Sequence, residues 1–304
     1  MTPIVIDCDP GHDDAIAILL ALASPEVELR GITTVAGNQT LDKTTANAIR
    51  VIEFAGRPDV PVAAGADRPL VRKQFVAGEV HGETGLDGPD LPPPQSDPVE
   101  QHAVDFLAEK IRSSEEPVTL IPVGPLTNIA LLLALHPDAR PARIVLMGGA
   151  IAEGNVTPAA EFNVWCDPEA AARVFASDID VTMIGLDVTH KALFTQAHIG
   201  RLAGRVGEMV TELLRFYNTF HRTVYNFDGS PIHDALAVAH VLDPGLVGTL
   251  ERNVEIDTES ELCRGRTVVD LWQRTDREPN AHVGVEVDAD AFVELLIERI
   301  NSFE

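Results

Sequence analysis

Cysteines, aromatic residues and long apolar runs are scarce in this sequence, and each scarcity excludes a class of protein. The three cysteines, Cys8, Cys166 and Cys263, are widely spaced and form no C-x-x-C pair. This pattern favours reduced thiols over a disulfide framework and argues against a structural zinc site. No apolar run approaches the roughly 18 residues that cross a membrane, and the opening MTPIVIDCDPGHDD lacks a basic leader and a cleavage site. We therefore expect a cytoplasmic protein with no membrane partner.

Basic residues are also scarce. Lysine and arginine total 23 against 47 aspartates and glutamates, which gives a formal net charge of −24. A surface this negative repels phosphate backbones, so we expect no nucleic-acid partner. The charge is compatible with neutral small-molecule substrates and with bound cations, although solubility or a salt-adapted host would by itself account for most of the excess.

Strand-like and helix-like segments alternate along the chain, and only 5% of the residues are aromatic. The order βαβαβ at the start predicts an α/β fold with an open, doubly wound, mostly parallel sheet flanked by helices. The absence of repeats and of low-complexity linkers favours one domain over residues 1–304. Strands are predicted at residues 4–6, 29–35, 60–64, 118–123, 143–147, 181–186, 254–256, 267–271 and 282–287. Helices are predicted at residues 13–23, 40–55, 99–113, 126–135, 168–176, 196–225, 233–241 and 289–300.

Two loops interrupt this rhythm, at residues 65–98 and 148–160. The first is rich in Gly, Pro, Asp and Glu and contains His81, and a loop of that length in a compact domain is usually functional or mobile. Ligands of open α/β sheets bind beyond the carboxyl ends of the strands. Several groups far apart in sequence fall at such ends: Asp7, Asp9, Asn38, Val123, the 148–163 segment and Asp187. This coincidence predicts a site at that edge of the sheet.

The strongest local signal is DCDPGHDD at residues 7–14, which places four carboxylates within eight residues between a strand and a helix. Like charges this close raise one another's pKa values unless something neutralises them. A helix N-terminus contributes only about 0.3–1 kcal/mol per group. A divalent cation would do much more, and a set of oxygen ligands favours Ca²⁺ or Mg²⁺ over zinc. Simple helix capping explains one or two of these aspartates but poorly explains four.

Two weaker signals each have an ordinary structural alternative. Asp234, in the segment PIHDA, is either the N-cap of a short apolar helix or a further metal ligand beside His233. Glu161 and Asn163, with Asn155 upstream, are either ordinary loop polarity or a set of groups that hydrogen-bond vicinal hydroxyls. The residues alone leave both choices open.

A series of motifs spread over residues 4–238 matches a known family in the family's own order. They are IVIDCDPGHDDAIAILLAL, ITTVAGNQT, GETG after His81, VGPLTNIA, VLMGGA, AEFNVWCDPEAA, MIGLDVTH and IHDALAV. On these motifs the chain resembles the inosine-uridine preferring nucleoside hydrolases. The resemblance implies the nucleoside hydrolase fold and hydrolysis of the N-glycosidic bond of ribonucleosides to ribose and free base. It also implies a homodimer or homotetramer.

The resemblance further implies roles for individual residues. The metal of that family is Ca²⁺, and the matching ligands are Asp9, Asp14, Asp234 and the backbone carbonyl of Val123. Asp13 matches the residue that touches the metal and activates a water molecule, and His233 matches a histidine near the base that could assist its departure. The matching substrate contacts are Asn38, Asn155, Glu161 and Asn163 on the ribose, and His81 in the pocket.

The residue types suit this reaction. Breaking an N-glycosidic bond builds positive charge on the ribose, and an acidic pocket stabilises that charge. A site that pairs with the 2′- and 3′-hydroxyls should reject deoxyribose. One position departs from the family, because members that handle purines well often carry a tyrosine where this chain has His221, with Tyr217 and Tyr225 one helical turn to either side. We expect His221 and Tyr225 to contact the base, and a preference for pyrimidines or a broad specificity.

Two other functions fit parts of the sequence. Asp7-Cys8-Asp9 after a strand imitates the D-x-D motif of Mg²⁺-dependent phosphohydrolases of the haloacid-dehalogenase type. Gly11, however, stands where that family has Thr or Val, and no convincing phosphate-binding lysine follows. The other function is a calcium-stabilised protein that binds nucleosides without cutting them, but such a protein would not need the carboxylate of Asp13.

Overall fold

The chain forms twelve strands in a computed structural model that describes residues 1–303. They are β1 (Thr2–Cys8), β2 (Val27–Thr34), β3 (Val62–Ala64), β4 (Thr119–Pro122), β5 (Arg143–Met147), β6 (Asp180–Ile184), β7 (Leu193–Phe194), β8 (Ser230–Pro231), β9 (Val247–Arg252), β10 (Val254–Ile256), β11 (Thr267–Val269) and β12 (Ala281–Val287). Eight of them form one sheet in the order β3-β2-β1-β4-β5-β6-β12-β9. Every neighbouring pair in it is parallel except β12 and β9. This confirms the predicted α/β fold with an open, doubly wound, mostly parallel sheet.

Helices cover both faces of the sheet. They are α1 (His12–Ala23), α2 (Leu41–Phe54), α3 (Gly78–His81), α4 (Ala103–Ser113), α5 (Thr127–Leu135), α6 (Phe162–Cys166), α7 (Pro168–Phe175), α8 (Leu186–Thr189), α9 (Gln196–Ile199), α10 (Gly204–Val224), α11 (His233–Leu242) and α12 (Ala289–Ile300), with a 3-10 turn at Pro244–Leu246. Among residues 1–303, no helix has the length and apolar character needed to cross a membrane.

The alternation of side chains along β1 shows why this sheet is covered on both faces. Ile4, Ile6 and Cys8 pack into one apolar core with α1, α2, α10, α11 and α12, whereas Val5 packs into a second core with α4, α5 and α7. Successive side chains of a strand point to opposite faces, so a strand that is apolar throughout must be buried on both. Its short apolar run therefore determines its place in the middle of the sheet.

The structure differs from the sequence-based prediction at several elements. The helix predicted over residues 196–225 is two helices, α9 and α10, because the chain turns between them and Gly204 adopts a left-handed φ of +75°. Strand β9 was not predicted, since its sequence VGTLER carries polar residues that an edge strand exposes to solvent. The predicted strands at 254–256 and 267–271 form a separate two-stranded sheet, and the second ends at Val269. The long loop at 65–98 contains the short helix α3.

The winding of the sheet reverses between β1 and β4. The strands to one side follow the order β1, β2, β3, and those to the other side begin β4, β5, β6. A crevice forms at such a point because the connections leave the two neighbouring strands in opposite directions, and ligands bind there beyond the carboxyl ends. Asp7 pairs with Pro122 across this point, so the aspartates after β1 and Val123 after β4 lie at its mouth.

Candidate active site

Two buried helices bring three carboxylates together. Asp13 and Asp14 lie in the first turn of α1, Asp234 lies in the first turn of α11, and the two helices pack against each other. One oxygen from each carboxylate lies within 4.8 Å of the others. Asp14 also accepts hydrogen bonds from the N–H groups of Gly11 and Asp9, at 2.8 and 3.1 Å, which fixes the start of α1. The positive ends of both helix dipoles therefore meet at these carboxylates.

Asp9 lies beside this cluster, directly after β1, and one of its oxygens has no partner. Its Oδ2 accepts a 2.6 Å hydrogen bond from the Asn38 N–H, whereas its Oδ1 is buried without a hydrogen bond among residues 1–303. Asp9 is not one of the three residues whose oxygens lie within 4.8 Å of one another. Asp7 accepts hydrogen bonds from Thr33 and Asn128, which ties β1 to β2 and α5. Of the four aspartates in the opening motif, Asp13 and Asp14 therefore belong to the carboxylate cluster, Asp9 lies beside it, and Asp7 links β1 to β2 and α5.

Burial raises the pKa of the clustered carboxylates. The pKa of Asp13 rises from 3.8 to about 8, mainly because the group is buried and also because Asp14 carries the same charge. Burial and neighbouring carboxylates likewise raise the pKa values of Asp9 and Asp234 well above their ordinary range. None of the ion pairs within residues 1–303 involves these four side chains. Together with the unpaired Asp9 Oδ1, this oxygen-only set fits a hard divalent cation.

A cavity of about 280 Å³ opens next to these carboxylates and gathers residues from nine separate stretches of chain. Asp13 and Asp234 line it, together with every residue proposed from the sequence to contact substrate. Asp9 and Asp14 are not among the residues that line it. The proposed substrate contacts that line the cavity are Asn38, His81, Asn155, Glu161, Asn163, His221, Tyr225 and His233. The carbonyl-bearing residue Val123 lines it as well.

The loop after β5 presents two amides and a carboxylate to this cavity. Glu161 caps α6, since its oxygens accept from the N–H groups of Gly149, Asn163 and Val164 at 2.8 to 3.1 Å. Asn163 Nδ2 donates to the Val123 carbonyl at 2.7 Å, and that carbonyl keeps a second lone pair. Asn155 Oδ1 accepts from a backbone N–H, which leaves its amide nitrogen free to donate. These side chains are therefore held rigidly before any ligand arrives.

Imidazole and tyrosine rings line much of the remaining wall. The ring centroid of His221 lies 4.3 Å from that of Tyr217 and 6.0 Å from that of Tyr225. The ring centroids of His190 and His233 lie 5.5 Å apart. Burial lowers the pKa of His221 to about 4 and holds that of His233 well below its ordinary range. Both rings are therefore neutral near pH 7, and each can donate one hydrogen bond and accept another.

Sequence reasoning assigned no role to several residues of this wall and its support, and three of them carry imidazole or phenol rings. His190 lines the cavity but received no role, although it ends the motif MIGLDVTH. Tyr217 was noted only as a neighbour of His221, and it also lines the cavity. His12 stacks on His81, with their Nδ1 atoms 3.1 Å apart, because the 65–98 loop folds back over the start of α1. Nothing in the local sequence indicates that contact.

Asp187 was expected near the site because it follows a strand. The structure shows instead that its carboxylate accepts hydrogen bonds from the N–H groups of Ile151 and Ala152, at 2.6 and 3.2 Å. It is not among the residues that line the cavity. Its role is to hold the loop after β5, which carries the amides and the carboxylate described above.

Comparisons with known proteins agree with this geometry. The chain is 52% identical over 304 residues to the "Pyrimidine-specific ribonucleoside hydrolase RihA" of Shewanella sp. (strain ANA-3), covering 98% of this chain and 96% of the relative. It is 50% identical to the protein of the same name from Klebsiella pneumoniae (strain 342), covering 98% of each. Among solved structures, the "Purine-Preferring Ribonucleoside Hydrolase from Gardnerella vaginalis" superposes with a TM-score of 0.93 at 34% identity, covering 99% of each chain.

The family model described as "Inosine-uridine preferring nucleoside hydrolase" matches residues 4–294, which is nearly the whole chain. The match includes the clustered carboxylates Asp13, Asp14 and Asp234 and every residue that lines the cavity. This resolves the choice between cleavage of nucleosides and hydrolysis of phosphate esters in favour of the first. The chain belongs to the inosine-uridine preferring nucleoside hydrolase family and is a ribonucleoside hydrolase that cleaves N-glycosidic bonds.

Proposed function

We propose that this enzyme hydrolyses pyrimidine ribonucleosides in preference to purine ribonucleosides, with Ca²⁺ as its metal. The observation that carries the proposal is a single cavity whose wall combines buried carboxylates, preorganised amides and neutral imidazoles. Carboxylates can stabilise a positively charged ribose, amides can hold its hydroxyls, and imidazoles can contact a departing base.

Calcium would be held by Asp9, Asp14, Asp234 and the carbonyl of Val123, and when bound it would supply the positive charge that orients a water molecule and lowers its pKa. Ca²⁺ accepts six to eight oxygen donors with flexible geometry, so these four residues would leave places for a second carboxylate oxygen, for water and for substrate hydroxyls. The buried and unpaired Oδ1 of Asp9 supports this assignment, because an isolated buried carboxylate oxygen is costly.

Asp13 is the proposed general base. Its carboxylate lines the cavity beside the proposed metal ligands Asp14 and Asp234, where a neighbouring cation would keep it ionised and able to accept a proton from water. In the reaction the water oxygen bonds to C1′, its proton passes to Asp13, and the electron pair of the glycosidic bond moves to the base. Asn38, Asn155, Glu161 and Asn163 grip the ribose, and His233 donates a hydrogen bond to the departing base.

The base preference rests on the relatives, and the geometry of His221 indicates how a base is contacted. The relatives at 50 and 52% identity are named pyrimidine-specific, whereas the purine-preferring structure is only 34% identical. In addition, Nδ1 of His221 lies 3.1 Å from the carbonyl of Tyr217, so it must donate its proton there. The other nitrogen of this neutral ring is then an acceptor, and it can help to orient a base through a donor such as the N3–H of uracil or the amino group of cytosine.

A panel of ribonucleosides tests the proposal directly. With release of free ribose as the assay, we expect kcat/KM for uridine and cytidine to exceed that for inosine and adenosine by about tenfold or more, the range that one matched polar contact supplies. We expect 2′-deoxyuridine to fall below uridine on the order of 10⁴-fold, because the groups that bind the 2′-hydroxyl are left unpaired. Equal rates on purines would contradict the preference, and tight binding of uridine without ribose release would contradict catalysis.

The substitution Gly37→Ala tests the assignment of Asp9 to the metal. A Cβ at Gly37 would lie 2.1 Å from Asp9 Oδ2 and 2.8 Å from the Pro125 ring, so Asp9 must move. We expect the calcium concentration for half-maximal activity to rise about tenfold or more, as when a ligand loses its support. Gly200→Ala is the matched control, since its nearest neighbour is 3.5 Å away, and it should leave the calcium dependence unchanged. An unchanged dependence in Gly37→Ala would remove Asp9 from the metal site.

The oligomeric state of the enzyme and its cellular compartment remain predictions. A homodimer or homotetramer follows from the family resemblance, and sedimentation of the purified enzyme would test it. The cytoplasmic location is supported by three free cysteines, Cys8, Cys166 and Cys263, of which the first two are buried.

A further inference from the structure

We propose that Thr189 is a positioning residue that orients the imidazole of His233 and holds its ring proton on the nitrogen that faces the cavity. The inference rests on the role given to His233 in the proposed function. Its central observation is a short hydrogen bond, 2.7 Å, between Thr189 Oγ1 and His233 Nδ1. Thr189 is fully buried and His233 is 7% exposed, so solvent does not compete for this contact.

The fold brings these two residues together although 44 positions separate them in sequence. Thr189 ends α8, and the chain then enters β7. Strand β7 pairs antiparallel with β8, which directly precedes α11 and His233. A backbone hydrogen bond from Ile232 to Ala192 extends this pairing to the residue before His233. The small β7–β8 sheet therefore serves to set Thr189 against the imidazole.

The hydroxyl determines which ring nitrogen carries the proton. Among residues 1–303, Thr189 Oγ1 has no hydrogen-bond partner other than Nδ1 of His233. If it accepted from Nδ1, its own proton would be buried without an acceptor, which costs about 1–3 kcal/mol. It therefore donates to Nδ1, and a neutral imidazole then carries its single proton on Nε2. Since the His233 ring lines the cavity and turns Nδ1 toward Thr189, Nε2 is the nitrogen available to a ligand.

This arrangement makes His233 a hydrogen-bond donor at the place where the base departs. When the C1′–N bond breaks, its electron pair moves onto the base, and an N–H group stabilises the negative charge that develops there. The ring need not lose its proton, because the released base can take one from solvent. Without the Thr189 hydroxyl, Nδ1 has no partner, and the ring is free to rotate or to change tautomer.

The test compares Thr189→Val, which keeps the shape but removes the hydroxyl, with Thr189→Ser, which keeps the hydroxyl. Two substrates separate the effects: uridine, and 4-nitrophenyl β-D-ribofuranoside, whose phenolate leaves without a hydrogen-bond donor. We expect Thr189→Val to lower kcat on uridine about tenfold, with little change in KM, and to leave the 4-nitrophenyl riboside within about twofold. Thr189→Ser should keep uridine within about threefold of the native rate. His233→Ala should show the substrate pattern of Thr189→Val with a larger loss on uridine.

The readout is the ratio of kcat on the two substrates, which does not depend on how much of a variant is folded. An unchanged ratio in Thr189→Val, with a changed ratio in His233→Ala, would overturn the role of Thr189 and leave the proposed function intact. Equal losses of kcat on both substrates in Thr189→Val are one form of this result, and they would mean that the contact only stabilises the fold. An unchanged ratio in His233→Ala would remove the role on which the inference rests. Failure of the native enzyme to cleave either riboside would instead contradict the proposed function.

Discussion

Replacing Asp13 with asparagine will lower kcat on uridine about 10³-fold, the loss expected when a positioned general base is removed. The amide has the same shape as the carboxylate but cannot accept a proton from water. The fold should survive, because the variant removes one of several buried negative charges that repel one another. Its melting temperature in the absence of metal should therefore equal or exceed that of the native enzyme. The measurements are single-turnover ribose release and thermal unfolding.

Two controls separate the loss of a base from the loss of the metal. Asp42→Asn changes an exposed aspartate in the first turn of α2 and should leave kcat unchanged. The calcium content of Asp13→Asn should remain near that of the native enzyme, since the proposed ligands Asp9, Asp14 and Asp234 are still present. A variant that keeps its metal and turns over at a near-native rate would show that Asp13 is not the base.

Removal of the metal will abolish activity, and it will do so slowly. The proposed ligands Asp9, Asp14 and Asp234 are at most 4% exposed, so a chelator must wait for the site to open. Dialysis against EGTA should give an enzyme with no measurable turnover, and added Ca²⁺ should restore it. EGTA already saturated with calcium is the matched control and should have no effect. Full activity in a sample shown to be free of metal would contradict a role for any cation.

The metal-free enzyme should also lose stability as the pH rises. Burial raises the pKa of Asp13 from 3.8 to about 8 and that of Asp7 to about 7. A folded-state pKa above the unfolded value means that stability is fully present below the unfolded pKa and is lost as the pH rises through the folded one. The melting temperature without metal should therefore fall between pH 5 and pH 8, and calcium should raise it most at pH 8. Parallel curves with and without calcium would contradict coupling between the cluster and the cation.

The sequence by itself predicted the class of fold and the position of the aspartates. The apolar run before Asp7 and the alternation of strands and helices depend on local periodicity, which each segment carries without reference to the rest of the chain. The βαβ order then places the carboxyl ends of the parallel strands at one edge, so Asp9, Asn38 and Val123 were expected to lie together. The family resemblance supplied the proposed roles of residues such as Asn155 and His81, which periodicity does not indicate.

Only the tertiary structure decided how the wall of the cavity is completed. The placement of His190, that of Tyr217 on α10 and the support of His81 by His12 depend on packing between segments far apart in sequence, and no local pattern encodes those contacts. The contact of Thr189 with His233 likewise depends on the pairing of two-residue strands that propensity cannot identify. A sequence determines directly what neighbours along the chain can form, such as a helix or a buried strand. Contacts between distant segments depend on packing that is settled only when the whole core closes.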